Sequence, residues 1–191
     1  NTICLGQSTP ALSFTIINGL GTPTYQWYSN SIASNIGGLL LTGATNSTYT
    51  PAVSIVGTTY YYCVINFPDL SGGCEIITTD IAAIIVNQIP VITNESTTIC
   101  SGTTFTVIPA NSGGNIIPSG TTYIWSEPII NPSGAITGAS QQNIPQTEIS
   151  QTLFNTTSNT ATVTYTVIPT SGSCEGDSFT VTVTVNPSIN P

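Results

Sequence analysis

Four short motifs occur twice in this chain, the second time 96 to 100 residues after the first. Thr2-Ile3-Cys4-Leu5-Gly6 returns as Thr98-Ile99-Cys100-Ser101-Gly102, and Tyr25-Gln26-Trp27 as Tyr123-Ile124-Trp125. Gly73-Cys74-Glu75 returns as Ser173-Cys174-Glu175, and Val86-Asn87 as Val185-Asn186. A near-constant offset through four anchors means that one folding unit has been copied in tandem. The 191 residues therefore divide into two domains, 1–89 and 90–191, each of a size that sustains its own core. The junction falls near residues 88–96, a short stretch with one proline and no glycine, which reads as a stiff connection.

Within each copy the hydrophobic period is two. Phe179, Val181, Val183 and Val185 alternate with Ser178, Thr180, Thr182 and Thr184. Upstream, Val163, Tyr165 and Val167 alternate with Thr162, Thr164 and Thr166. Successive side chains of a strand point to opposite faces, so this pattern makes one dry and one wet face, as in antiparallel sheets. Gly, Pro, Asn and Ser punctuate the runs, and no segment of useful length has a helical period. About seven short strands per copy give an all-β chain of two tandem antiparallel β-sandwiches. Trp27 and Trp125, each on an early strand, are the expected core fillers. Tyr61 stands two residues before Cys63, the tyrosine-corner spacing of immunoglobulin-like sandwiches.

The chain has no Lys, Arg or His, and its net charge of −8 comes from eight carboxylates in a sequence only 4% charged. Without cations there is nothing to displace counterions from a phosphate backbone, so nucleic acid is excluded as a partner. Lysine phosphate loops, arginine fingers, His-based nucleophilic units and His-based zinc sites are excluded in the same way. What remains catalytically is a pair of carboxylates, as in glycoside hydrolysis, and nothing in the strand layout suggests a cleft to hold one. The chain is read as non-enzymatic. No run of 18 apolar residues is present, so no membrane insertion of this segment is expected, and export signals are expected outside it.

The repeat suggests how the five cysteines pair. Cys4 and Cys74 correspond to Cys100 and Cys174, whereas Cys63 has no counterpart and aligns with Thr166 or Val167. This predicts disulfides Cys4–Cys74 and Cys100–Cys174, one per domain, with Cys63 a buried free thiol; Cys4–Cys63 with Cys74 free stays open. Loops of this size give about 4 kcal/mol per bridge in the chain-entropy model. Disulfides place the chain in an oxidising, extracellular compartment.

Two further sites are expected. Calcium is the one metal this composition suits, through oxygen ligands. Its candidate ligands are Asp69, Glu75 and Asp80 in the first copy and Glu175 with Asp177 in the second, the last two sharing one strand face. No other cofactor is implied. If Tyr61 and Cys63 face the core, then Tyr60, Tyr62 and Tyr28 face out, and with Phe67 at a hairpin tip they form a candidate platform for stacking sugar rings.

The unit reads as Ile-Cys-x-Gly, Tyr-x-Trp, Ala44-Thr45-Asn46-Ser47-Thr48-Tyr49-Thr50-Pro51, the tyrosine strand, Gly-Cys, and a Thr/Val strand ending in Val-Asn. Over residues 1–187 this resembles the immunoglobulin-like and PKD-like repeats of very large cell-surface proteins of gliding Bacteroidetes, the SprB-type gliding adhesins. The second copy has a longer middle, residues 127–159, and resembles the PKD-like members more. The resemblance implies a repeat segment of a filament exported by type IX secretion and held at the cell surface. Its partners would be neighbouring repeat domains of the same polypeptide and surface polysaccharide during gliding. It implies no catalytic residue. The other expected role is a pair of carbohydrate-binding accessory modules on a secreted polysaccharide-degrading enzyme.

Overall fold

The computed structural model describes residues 1–17, 21–68 and 76–188. The chain forms two compact units, Asn1–Asn87 and Gln88–Pro191, and is all-β.

In unit 1 the strands are β1 (Thr2–Cys4), β2 (Thr24–Asn30), β3 (Leu39–Leu40), β4 (Gly57–Asn66), β5 (Ile76–Thr78) and β6 (Ala82–Asn87). They form one sheet in the order β1-β6-β4-β2-β3, with β5 also on β4. Trp27 lies directly opposite Cys63 in the β2–β4 register. Trp27, Tyr61, Cys63, Ile65, Phe67, Ile84 and Val86 make the core. The facing layer is largely irregular. Leu12 and Tyr49 exchange backbone bonds of 2.7 and 3.1 Å, and Phe14, Leu41 and Val53 pack beside them. Pro10, Gly43 and Pro51 interrupt these segments, which shortens any ladder there to that single bridge.

Unit 2 is the more regular sandwich. Its larger sheet contains β7 (Glu95–Cys100), β9 (Thr121–Trp125), β10 (Ile129–Asn131), β12 (Gln142–Gln146), β14 (Ala161–Ser171), β15 (Cys174–Glu175) and β16 (Phe179–Asn186). The order is β12-β9-β14-β16-β7, with β10 and β15 on β14. The smaller sheet is β11 (Ile136–Thr137), β13 (Ile149–Asn155) and β8 (Thr103–Val107). The longer middle of the second copy therefore builds two strands of this second sheet. Val163, Tyr165, Val167, Val181, Val183 and Val185 are each 0% exposed and face Phe105, Ile149 and Leu153. Fully burying such a side chain stabilises by roughly 1.5–3 kcal/mol, so the period-two face dominates the unit's stability.

The two tryptophans do the same job in both units. Each is 3% exposed, and each indole N–H donates at 2.9 Å to a backbone carbonyl, Trp27 to Asn46 and Trp125 to Ser140. The first strand of each unit runs parallel to the last: β1 lies on β6 with Cys4 opposite Asn87, and β7 on β16 with Cys100 opposite Asn186.

The segment expected to connect the domains is part of unit 2. Val91 and Ile116 exchange backbone bonds of 2.9 and 2.7 Å, Pro90 is buried, and the Asn94 side chain accepts from the Thr180 amide at 2.8 Å. Gly176 is the residue that lets Pro90 approach, since a Cβ there would collide with the Pro90 carbonyl.

Candidate functional site

The tyrosine face of unit 1 follows the expected register, yet it is not the expected platform. Tyr61 and Cys63 point into the core. Tyr62 points to the opposite face but is only 3% exposed. The cover is the 31–38 loop, pinned by three amides. Asn30 donates to the carbonyls of Ser34 and Ile36 at 3.1 and 3.2 Å, Asn35 donates to Thr79 at 3.1 Å, and the Gly38 amide donates to the Tyr62 hydroxyl at 3.0 Å. Gly38 is required there: a Cβ would stand 2.7 Å from the Ser29 carbonyl and 2.9 Å from the Tyr62 ring. Tyr28, half-buried, stacks on Tyr62 with centroids 5.2 Å apart and planes 6° from parallel. Tyr62 thus spends its ring face on a cross-strand partner. Phe67 is not at an exposed tip either; it is 3% exposed in the core. Of the four aromatic candidates only Tyr28 and Tyr60 keep part of their surface accessible. Beside them an open groove of about 450 Å³ is lined by Ser29, Asn30, Ser31, Gly37, Leu39, Thr58 and Thr59, with no aromatic ring in its wall.

Asp69 and Glu75 lie outside the described residues. Among the described residues no three acidic or other ligating side chains group to hold a metal ion. Glu175 ends β15 and Asp177 lies two residues beyond, past Gly176, whose amide donates to the Pro169 carbonyl at 2.9 Å in the register of the β14–β15 pair.

The cysteines depart from expectation in one respect that the strand registers explain. Cys4 and Cys174 are disulfide-bonded, whereas Cys63 and Cys100 are free thiols. The expected Cys100–Cys174 bridge is absent. Cys100 sits opposite Asn186, at the end of the sheet where β14 begins with Ala161 opposite Val185. Cys174 pairs with Ser171, at the other end of β14. Ten residues of strand separate the two levels, on the order of 30 Å at ~3.3 Å per residue, and a disulfide needs Cα atoms within about 7 Å. Cys74 lies outside the described residues; Ile76, which opens β5, is opposite Asn66, at the far end of β4 from Cys4. Cys63 is 0% exposed, and its thiol donates to the Val64 carbonyl at 3.6 Å. Burial raises its pKa, which keeps it protonated and unreactive. Its counterpart opposite the second tryptophan is Val167, so the site is one of apolar packing.

Burial also raises the pKa of Tyr61, aided by the nearby Tyr49 phenol and partly offset by a bond with Thr59. Tyr123 and Tyr165 are raised by burial alone, and the Tyr165 hydroxyl donates to Gln151 at 2.9 Å.

Residues 97–189 match the family model of the PKD-like domain, and residues 1–88 match that of a domain of unknown function, DUF8696. No curated protein matches the sequence. Among solved structures the chain is similar to the fibronectin(III)-like modules of Clostridium thermocellum CbhA, with 11% identity, 97% of this chain and 89% of that chain covered, and a TM-score of 0.36. It is also similar to SGBP-B of the Bacteroides ovatus mixed-linkage glucan utilization locus, solved in complex with a mixed-linkage heptasaccharide. There the identity is 11%, with 97% of this chain and 42% of that chain covered, and the TM-score is 0.33, so this chain spans less than half of that protein.

Proposed function

We propose that this chain is a non-catalytic, load-bearing segment of a secreted cell-surface adhesin, two sandwich modules whose task is to extend a filament. The observation that carries this is the parallel pairing of first and last strands in both units. An antiparallel pair would bring entry and exit of the chain to the same pole of a module. A parallel pair brings them to opposite poles: in unit 2 the chain enters β7 at Glu95, opposite Val181, and leaves β16 at Asn186, opposite Cys100. Tension on the ends of such a module loads the β7–β16 hydrogen bonds in shear. They must then fail together rather than unzip one at a time. Unit 2 has six residue pairs in this clamp and unit 1 has three.

That Cys4 and Cys174 are disulfide-bonded supports an extracellular place for the segment. The PKD-like match of residues 97–189 and the resemblance of the repeats to gliding-adhesin modules support the surface-filament reading, with type IX export, neighbouring domains as partners and polysaccharide as the substratum. Burial of Tyr62 and Phe67 removes the two central rings of the expected sugar platform, which argues against these faces as the gripping surface.

The test is single-molecule stretching of the chain by its two ends, with disulfides reduced. Two discrete unfolding events are expected, unit 1 at the lower force. Gradual extension without discrete events would contradict the reading. A parallel panel of surface and insoluble polysaccharides, with calcium and with EDTA, addresses the second role. Strong binding that is lost on Tyr28→Ala would favour a carbohydrate-binding accessory pair instead.

A further inference from the structure

We infer that unit 1 carries a binding groove for a neutral polysaccharide, built from Tyr25 and the 45–48 loop. The inference deepens the adhesive reading and rests on it for the presence of polysaccharide at this surface; the site itself follows from the groove.

The internal repeat shows where it lies. Tyr25-Gln26-Trp27 on β2 corresponds to Tyr123-Ile124-Trp125 on β9. In unit 2 a strand closes the sheet edge beside this motif. There β12 lies on β9, with Gln142 opposite Trp125 and Gln146 opposite Tyr123, and Tyr123 is 3% exposed. In unit 1 the edge strand β3 reaches only Tyr28 and Ser29. Beyond it Tyr25 is half-buried, and an open groove of about 780 Å³ is lined by Thr24 and Tyr25 from β2 and by Thr45, Asn46, Ser47 and Thr48.

The groove is held in shape while its polar groups stay unspent. The loop is tied down through its backbone. The Trp27 indole N–H donates to the Asn46 carbonyl at 2.9 Å and the Trp27 amide to the Ala44 carbonyl at 3.0 Å, and Tyr49, just beyond, exchanges backbone bonds with Leu12. The side chains of Thr45, Asn46, Ser47 and Thr48 are left exposed, and none is hydrogen-bonded to another described residue. The 31–38 loop differs, since there the Asn30 and Asn35 amides are consumed in pinning it. Trp27 turns both backbone groups to this edge, its carbonyl accepting from the Leu41 amide at 3.0 Å. Tyr25 has the same parity in the strand, so its amide and carbonyl also face the groove, with no partner on that side among the described residues. Its ring packs on Phe14 with centroids 5.8 Å apart, which fixes the ring's orientation at the groove wall.

Chemistry selects the ligand. A fixed aromatic ring among convergent hydroxyls, an amide and free backbone groups suits a molecule with an apolar C–H face and many hydroxyls, which is a pyranose chain. No carboxylate lines the groove, and the chain has no Lys, Arg or His and a net charge of −8, so an acidic polymer finds no counter-charge here. An added peptide strand is opposed by Gln26, whose side-chain amide caps the edge by donating to the Leu41 and Trp27 carbonyls at 2.8 and 3.0 Å. The backbone groups of Tyr25 alone are too few to hold a strand.

The experiment is an NMR titration of the intact, isotopically labelled chain with cellohexaose, laminarihexaose, xylohexaose and mannohexaose, and with hexagalacturonate as the acidic counterpart. At least one neutral hexaose is expected to shift the amides of Thr24, Tyr25 and residues 45–48 and to leave those of Tyr123 and Trp125 in place. Asn46→Ala should weaken that binding about fivefold, as for the loss of one neutral hydrogen bond, and Tyr25→Ala by about tenfold or more. Tyr28→Ala should leave it unchanged. The Asn46 side chain has no internal bond to lose, so its variant should melt as the native chain does, which separates lost binding from lost fold. No shift with any neutral hexaose at about 10 mM, shifts that map elsewhere, binding indifferent to Asn46→Ala and Tyr25→Ala, or equal binding of hexagalacturonate would overturn the inference. The load-bearing reading depends on the stretching response and survives each of these outcomes, so the two can fail separately.

Discussion

Replacing Val183 by Thr tests the period-two core with almost no change of shape. Val183 is 0% exposed, opposite Val163 on β14 and beside Thr97 on β7. Valine and threonine are both β-branched, with similar strand preference, so the backbone should not respond. The substitution exchanges one buried methyl for a hydroxyl. The lost methyl costs about 0.8 kcal/mol, and a hydroxyl buried among Val, Tyr and Phe without a partner costs about 1–3 kcal/mol more. The sum is about 2–4 kcal/mol, which lowers the melting temperature of a unit this size by roughly 8–30 °C at ~4–8 °C per kcal/mol. Thr182→Val is the matched control. Thr182 is half-exposed, with its hydroxyl 3.5 Å from that of Thr164, and its replacement should change stability by less than about 0.5 kcal/mol. Differential scanning calorimetry of the whole chain reads both, because unit 1 serves as an internal standard whose transition should not move. Equal effects from Val183→Thr and Thr182→Val would refute the assignment of the two faces.

Asn155→Ala should destabilise unit 2 by about 2–4 kcal/mol in urea titrations, because this buried amide donates to the Asn159 and Val185 carbonyls at 2.7 and 2.8 Å and accepts from the Thr157 amide at 2.9 Å. Asn155→Asp should be no better, since a carboxylate cannot make the two donations. Gly38→Ala should lift the 31–38 loop from Tyr62, seen as faster nitration of that tyrosine by tetranitromethane, with unit 2 melting unchanged; an inert Tyr62 would show that the loop does not depend on the bare glycine. Stability should also fall in alkali. Tyr61, Tyr123 and Tyr165 have folded pKa values raised above the unfolded value near 10, so their contribution is complete below about pH 10 and is lost as pH rises further, because unfolding then releases their protons. Phenolate absorbance near 295 nm should show those three titrating only as the chain unfolds; simple titration of all eight tyrosines near pH 10 with the fold intact would contradict this.

What the sequence determined by itself was periodic or repeated. Alternation of Val163, Tyr165 and Val167 with threonines, and of Phe179 to Val185 likewise, dictates which face is buried, because strand geometry leaves only two faces. The internal repeat located the two sandwiches and the equivalence of Trp27 with Trp125, since local patterns survive copying. What only the tertiary structure decided depends on where distant segments meet. Tyr62 has the outward register that the sequence assigns, but the 31–38 loop, whose Ile32 and Ile36 stay exposed, folds over it through amide bonds. Phe67, expected at an exposed hairpin tip, instead continues the inward alternation of Tyr61, Cys63 and Ile65 and is 3% exposed. The pairing of Cys100 with Cys174 failed on distance. Equivalence within a repeat says which positions correspond, whereas a disulfide depends on distance, and parallel pairing of the first and last strands sends those two cysteines to opposite poles of one module.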